Sequence, residues 1–206
     1  MPPIALPYFL SVPAAGAPWP GIVVIHEGGG ISPQLLRLCQ RLASEGYATI
    51  APDLFFRSGG TEASDYATLM AALQPDEVLG DIRASADTLR SLGAERIGVT
   101  GFCMGGRFTW STAQHADGFA AAVAFYGSGI ADELGEPLCP TLLFFGGQDP
   151  YIPPAEIARI ETAYPDTIVY PEAGHGFMRD GSDSYDETSA QDAWARTLTF
   201  FGTHLR

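Results

Sequence analysis

Short runs of mainly apolar residues punctuate this chain, without the strict apolar–polar alternation of a half-exposed strand. Gly21-Ile22-Val23-Val24-Ile25 is the clearest of them. A strand apolar on both faces is buried on both faces, which is the habit of parallel sheets covered by helices. Between the runs lie longer amphipathic segments. Ser32-Pro33 offers an N-cap and a first-turn proline, Leu35, Leu38 and Leu42 mark one helical face, and Gly46 ends it. Strands then follow at Tyr47–Ala51, Arg96–Thr100, Ala120–Tyr126, Thr141–Phe145 and Thr167–Tyr170. Helices are expected at Asp76–Leu92, Met104–Gln114, Pro154–Ala163 and Glu187–Thr203. Residues 57–75 read as a loop with a short helix near Tyr66 to Leu73. This alternation predicts an α/β fold of three layers, helices on both faces of a mostly parallel sheet. With 206 residues and neither repeat nor linker, one domain over 1–206 is expected.

Composition narrows the function. The formal net charge is −13, and all 11 basic residues are arginine. So acidic a surface repels phosphate backbones and anionic membranes, which argues against nucleic-acid or membrane partners. The start, Met1 to Pro7, lacks a basic region and an uninterrupted apolar stretch, so no signal peptide is expected there. Three cysteines, Cys39, Cys103 and Cys139, cannot all pair within the chain, which points to free thiols in a reducing cytoplasm. No His or Cys cluster has metal-ligand spacing. A monomer is the expectation, because no apolar helix face stands out as unpartnered.

Cys103 stands in Gly101-Phe102-Cys103-Met104-Gly105-Gly106, between an expected strand and an expected helix. This is the strand–turn–helix setting of a nucleophile elbow, with Cys in place of Ser. The central residue is held in a strained conformation that lifts its side chain above the sheet. Glycines flank it where a Cβ would strike a neighbouring element. The helix N-terminus favours thiolate over thiol, and the N–H of Met104 can stabilise an oxyanion. A buried structural cysteine is the plainer alternative, and it is the reading that suits Cys39 and Cys139.

In an α/β-hydrolase the chain order is nucleophile, acid, base. Asp149 follows the strand ending at Phe145, in Gly146-Gly147-Gln148-Asp149-Pro150. His175 follows the next strand, in Ala173-Gly174-His175-Gly176-Phe177. Both fall at the carboxyl edge of a parallel sheet, where such sheets bind ligands. His175 would take the Cys103 proton, and Asp149 would hold the imidazole tautomer. An Asp before Pro is also a common turn former, and a His in a glycine loop is often merely exposed. The ordered set of three is the argument. His26, His115 and His204 lack such a context.

With these residues in place the chain resembles the dienelactone hydrolase family of α/β-hydrolases, from about Ile22 to Phe201. The motifs that carry the likeness are His26-Glu27-Gly28, Gly46-Tyr47-Ala48, Ala51-Pro52-Asp53-Leu54, the Cys103 turn, Gly147-Gln148-Asp149 and Gly174-His175-Gly176-Phe177. The resemblance implies a lactone or ester hydrolase that needs no metal or organic cofactor and acts on small molecules carrying a carboxylate. It also implies that Glu27 contacts the resting Cys103 and helps make it a thiolate when substrate binds. Gly28 would supply the second oxyanion N–H. Arg57 and Arg179 would bind the substrate carboxylate. Two features depart from the pattern. Gly28-Gly29-Gly30 is smaller than the family's usual residues, implying a wider pocket, and the short segment before Ile22 implies fewer N-terminal strands. A general short-chain esterase or thioesterase of the same fold is the rival enzyme reading. A non-catalytic binding protein on a hydrolase scaffold is the rival from another class.

Overall fold

The computed structural model describes residues 7–206, so the Met1–Leu6 part of the start, where no signal peptide is expected, lies outside it. Seven strands form one sheet: β1 (Tyr8–Ser11), β2 (Trp19–Ile25), β3 (Ala48–Pro52), β4 (Ala94–Phe102), β5 (Ala121–Phe125), β6 (Thr141–Gly146) and β7 (Ile168–Tyr170). Their order across the sheet is β1-β3-β2-β4-β5-β6-β7. Only β1 is antiparallel, with Phe9 opposite Ala51. The other pairings are parallel. Among the described residues the α-helices are α1 (Pro33–Ser44), α2 (Tyr66–Ala72), α3 (Pro75–Ser91), α4 (Met104–His115), α5 (Pro154–Ala163) and α6 (Glu187–Leu205). This is the α/β-hydrolase fold.

The apolar runs do what their lack of alternation predicted. Successive residues of β2 feed opposite faces of the sheet, as the two-residue period of a strand requires. Ile22 and Val24 join Leu35, Cys39 and Leu42 of α1 and Phe201 of α6. Val23 and Ile25 join Ile82 and Leu89 of α3 and Phe108 of α4. The Ser32 hydroxyl accepts from the Leu35 N–H at 3.2 Å, as an N-cap does. Among the described residues no helix is long and apolar enough to cross a membrane.

Because β2, β4, β6 and β7 run in the same direction, the segments that follow them share one edge of the sheet. Glu27 follows β2, Cys103 follows β4, Asp149 follows β6 and His175 follows β7. The sheet register makes this a near neighbourhood, since Gly101 of β4 sits level with Ile25 of β2 and Ala124 of β5. One N-terminal strand, β1, precedes the first apolar run; its four residues are too few to show a period.

Candidate active site

Cys103 occupies the turn between β4 and α4 at φ 56° and ψ −118°, a conformation that L-residues reach only under constraint. Its N–H donates to the Phe125 carbonyl at 3.0 Å, which ties the turn to β5. The flanking glycines are there for contact distance. A Cβ on Gly105 would run into the carbonyl oxygens of Ile25 and His26, and one on Gly101 into the Gly105 carbonyl and the Thr109 hydroxyl. The first turn of α4 therefore lies directly against the end of β2. Met104, as the first residue of α4, has an N–H without an intrahelical acceptor. Cys103 is half-buried, whereas Cys39 and Cys139 are buried. Burial pushes the Cys39 thiol up to about 12 and raises that of Cys139.

Asp149 Oδ2 and His175 Nδ1 lie 2.7 Å apart. The Asp149 side chain is fully enclosed and that of His175 is 8% exposed. Burial opposes charge on the imidazole. The Asp149 hydrogen bond and the adjacent Cys103 sulfur outweigh it, and the His175 pKa rises to about 9. Asp149 Oδ1 also accepts from the Tyr151 N–H at 2.8 Å, so both carboxylate oxygens are fixed. Tyr151 sets its ring edge-on to His175 at 5.0 Å, and Tyr126 packs on the same ring at 5.0 Å. Tyr126 is the second non-glycine residue with positive φ, at 37°. Backbone strain thus collects around one imidazole. Complete burial raises the Tyr126 hydroxyl well above its ordinary pKa, and the nearby Glu27 charge adds to this.

A cleft of about 1040 Å³ opens over these groups, lined by Glu27, Gly28, Tyr66, Cys103, Tyr151, His175 and Arg179 among others. Glu27 is held by Arg179. Both its carboxylate oxygens accept from Arg179, Nε at 3.0 Å and Nη2 at 2.5 Å. A bidentate ion pair thus engages the carboxylate that was expected to contact the resting Cys103.

The two arginines do not converge. Arg57 does not line the cleft. Its guanidinium donates to both oxygens of Asp81 on α3, at 2.5 and 2.8 Å, and Glu77 lies 3.8 Å away. Asp81 is buried on the inner side of α3, so its charge needs a partner, and Arg57 meets that need. The triple glycine does not leave open space at Gly28 either. The Tyr66 ring rests there, close enough that a Cβ on Gly28 would come within 2.5 Å of it. Burial raises the Tyr66 hydroxyl pKa, and the neighbouring Cys103 sulfur raises it further. Tyr66, Tyr126 and Tyr151 carry no motif. They reach the site through a short helix and two strand-end loops.

Among the described residues no group of three or more His, Cys, Asp or Glu side chains is disposed to hold a metal ion.

The likeness to known proteins covers almost all of the chain. The model of the dienelactone hydrolase family matches residues 7–205. A protein of Salmonella typhimurium named "Putative carboxymethylenebutenolidase" is 36% identical over 221 residues, covering 96% of this chain and 82% of its own. One of the same name from Escherichia coli is 38% identical over 208 residues, covering 89% and 77%. The solved structure of a "Putative Dienelactone Hydrolase" from Klebsiella pneumoniae superposes with a TM-score of 0.89 at 35% identity, covering 96% of this chain and 92% of that one. The sheet, the elbow and these relatives together place the chain in the dienelactone hydrolase family.

Proposed function

We propose that this chain hydrolyses the ester bond of small lactones or esters carrying a carboxylate, through Cys103, His175 and Asp149. The observation that carries the reading is the buried Asp149–His175 pair beside Cys103, on a turn strained to present that sulfur to the cleft.

His175 accepts the Cys103 proton, and Asp149 stabilises the imidazolium that results. The thiolate attacks the carbonyl carbon, and the N–H groups of Met104 and Gly28 hold the oxyanion. Collapse breaks the ester C–O bond, His175 returns its proton to the leaving oxygen, and an acyl-thioester remains on Cys103. Water, deprotonated by His175, then attacks the thioester and releases the acid and the thiolate.

Arg179 supports the carboxylate preference. Positive charge is scarce in the cleft, and this guanidinium is already engaged by a carboxylate in the two-pronged geometry that a substrate carboxylate would use. A substrate competing for Arg179 would release Glu27 to the vicinity of Cys103, where it can help remove the thiol proton. Substrate binding and activation of the nucleophile are then one event.

A carboxylate-bearing enol lactone, its methyl ester and a series of neutral p-nitrophenyl esters separate this reading from that of a general esterase. The carboxylate lactone is expected to have the highest kcat/KM. Fastest turnover of neutral short-chain esters would favour the general esterase.

A further inference from the structure

His26 is fully enclosed, holds two hydrogen bonds and takes no part in the chemistry described above. The Leu54 N–H donates to its Nε2 at 3.1 Å. A backbone N–H can only donate, so Nε2 carries no proton and the ring proton sits on Nδ1. Nδ1 lies 2.7 Å from the Glu27 carbonyl oxygen and so donates to it. Burial lowers the pKa of this imidazole, in keeping with a neutral ring.

The Glu27 carbonyl belongs to the same peptide unit as the Gly28 N–H. That unit is planar and trans, so its carbonyl and N–H point in opposite directions. The carbonyl is held twice, by His26 Nδ1 and by the Gly30 N–H at 2.9 Å. Its orientation therefore decides where the Gly28 N–H points. The ring that orients it is clamped in turn to the chain beyond β3 through Leu54, and packs on Phe55 at 4.9 Å.

We infer that His26 is a positioning residue, one that orients the Glu27–Gly28 peptide so that the Gly28 N–H is preset for the developing oxyanion. This rests on the proposed role of Gly28 as an oxyanion donor. A flipped peptide would turn a carbonyl toward the reacting oxygen and remove a donor, a loss felt in the transition state and not in substrate binding.

Two variants divide the ring's functions. The side-chain nitrogen of Asn falls near Nδ1, so His26→Asn retains a donor to Glu27 and loses the acceptor for Leu54. The terminal amide of Gln falls near Nε2, so His26→Gln does the reverse. Both are assayed with a p-nitrophenyl ester and the carboxylate lactone, alongside Cys103→Ala and thermal unfolding of each variant. The expected result is that His26→Gln loses about tenfold or more in kcat with KM little changed, while His26→Asn stays near wild type. Equal losses in both variants that follow their thermal stability, or full kcat in His26→Gln, would overturn the inference. Should either variant fail to fold, long-range 1H–15N spectra of the wild-type imidazoles provide a second test. A neutral Nδ1–H tautomer for His26 supports the role, and an Nε2–H tautomer or an imidazolium overturns it. Undiminished activity in Cys103→Ala would instead remove the mechanism on which the inference rests.

Discussion

Arg179 grips Glu27 through two nitrogens, at 3.0 and 2.5 Å, across a cleft that also holds Cys103 and His175. Arg179 lines this cleft, and Glu27, which lines it too, already occupies its guanidinium. If a substrate carboxylate must displace Glu27, Arg179→Ala should lower kcat/KM for the carboxylate lactone by about 10- to 100-fold, the scale of a charge-assisted bidentate contact. Its methyl ester should lose far less. Arg179→Lys should recover only part of the loss, because an ammonium cannot present the fork. Equal losses on both substrates would rule out carboxylate recognition by this residue.

Arg57 is expected to behave differently. Its partner Asp81 is buried, while Arg57 itself is about a third exposed. Arg57→Ala should cost stability, toward the low end of about 1–3 kcal/mol, by leaving a buried carboxylate unpaired. The ratio of rates on lactone and methyl ester should stay at the wild-type value. Urea unfolding and that ratio check both halves; a changed ratio would return Arg57 to substrate binding.

His175 has a folded pKa of about 9 against an ordinary value of 6.5. A raised pKa means that the folded state binds the proton more tightly than the unfolded chain. The stabilisation is fully present below pH 6.5 and is lost as pH rises through about 9. Its ceiling is on the order of 3 kcal/mol. Denaturant unfolding between these limits should show stability falling in the wild type, and His175→Gln should remove most of that slope.

Gly105→Ala should be severe. Its methyl group would meet backbone oxygens of Ile25 and His26, which cannot rotate away. A loss of several kcal/mol, or failure to fold, is expected from overpacking against main chain. A near-normal melting temperature would mean that β2 and α4 can part more readily than their packing indicates.

Most elements were legible because strands buried on both faces and capped helices leave strong local patterns. The Cys103 turn, Asp149 and His175 could be read for the same reason, since each follows an apolar run whose end is easily located. β1 escaped because four edge residues, Tyr8–Ser11, show no period. Arg57 was misleading for a physical reason. Its partner lies 24 residues away on the inner side of α3, beside Val78 and Ile82, and an acidic residue at such a position was the available sign that an arginine would be drawn there. His26 could not be singled out, because its role lies in a peptide orientation and in a bond to Leu54 that only the fold creates. The tyrosines that frame His175 are likewise assembled by packing across the sheet edge.

In the proposed reaction Cys103 carries the acyl group. Rapid acid quench during turnover of an activated ester, followed by mass spectrometry of the digested protein, reads this directly. An acyl mass is expected on the peptide containing Cys103 and none on Cys39 or Cys139, with both adduct and turnover lost in Cys103→Ala. Acylation elsewhere, or turnover that survives in Cys103→Ala, would contradict it.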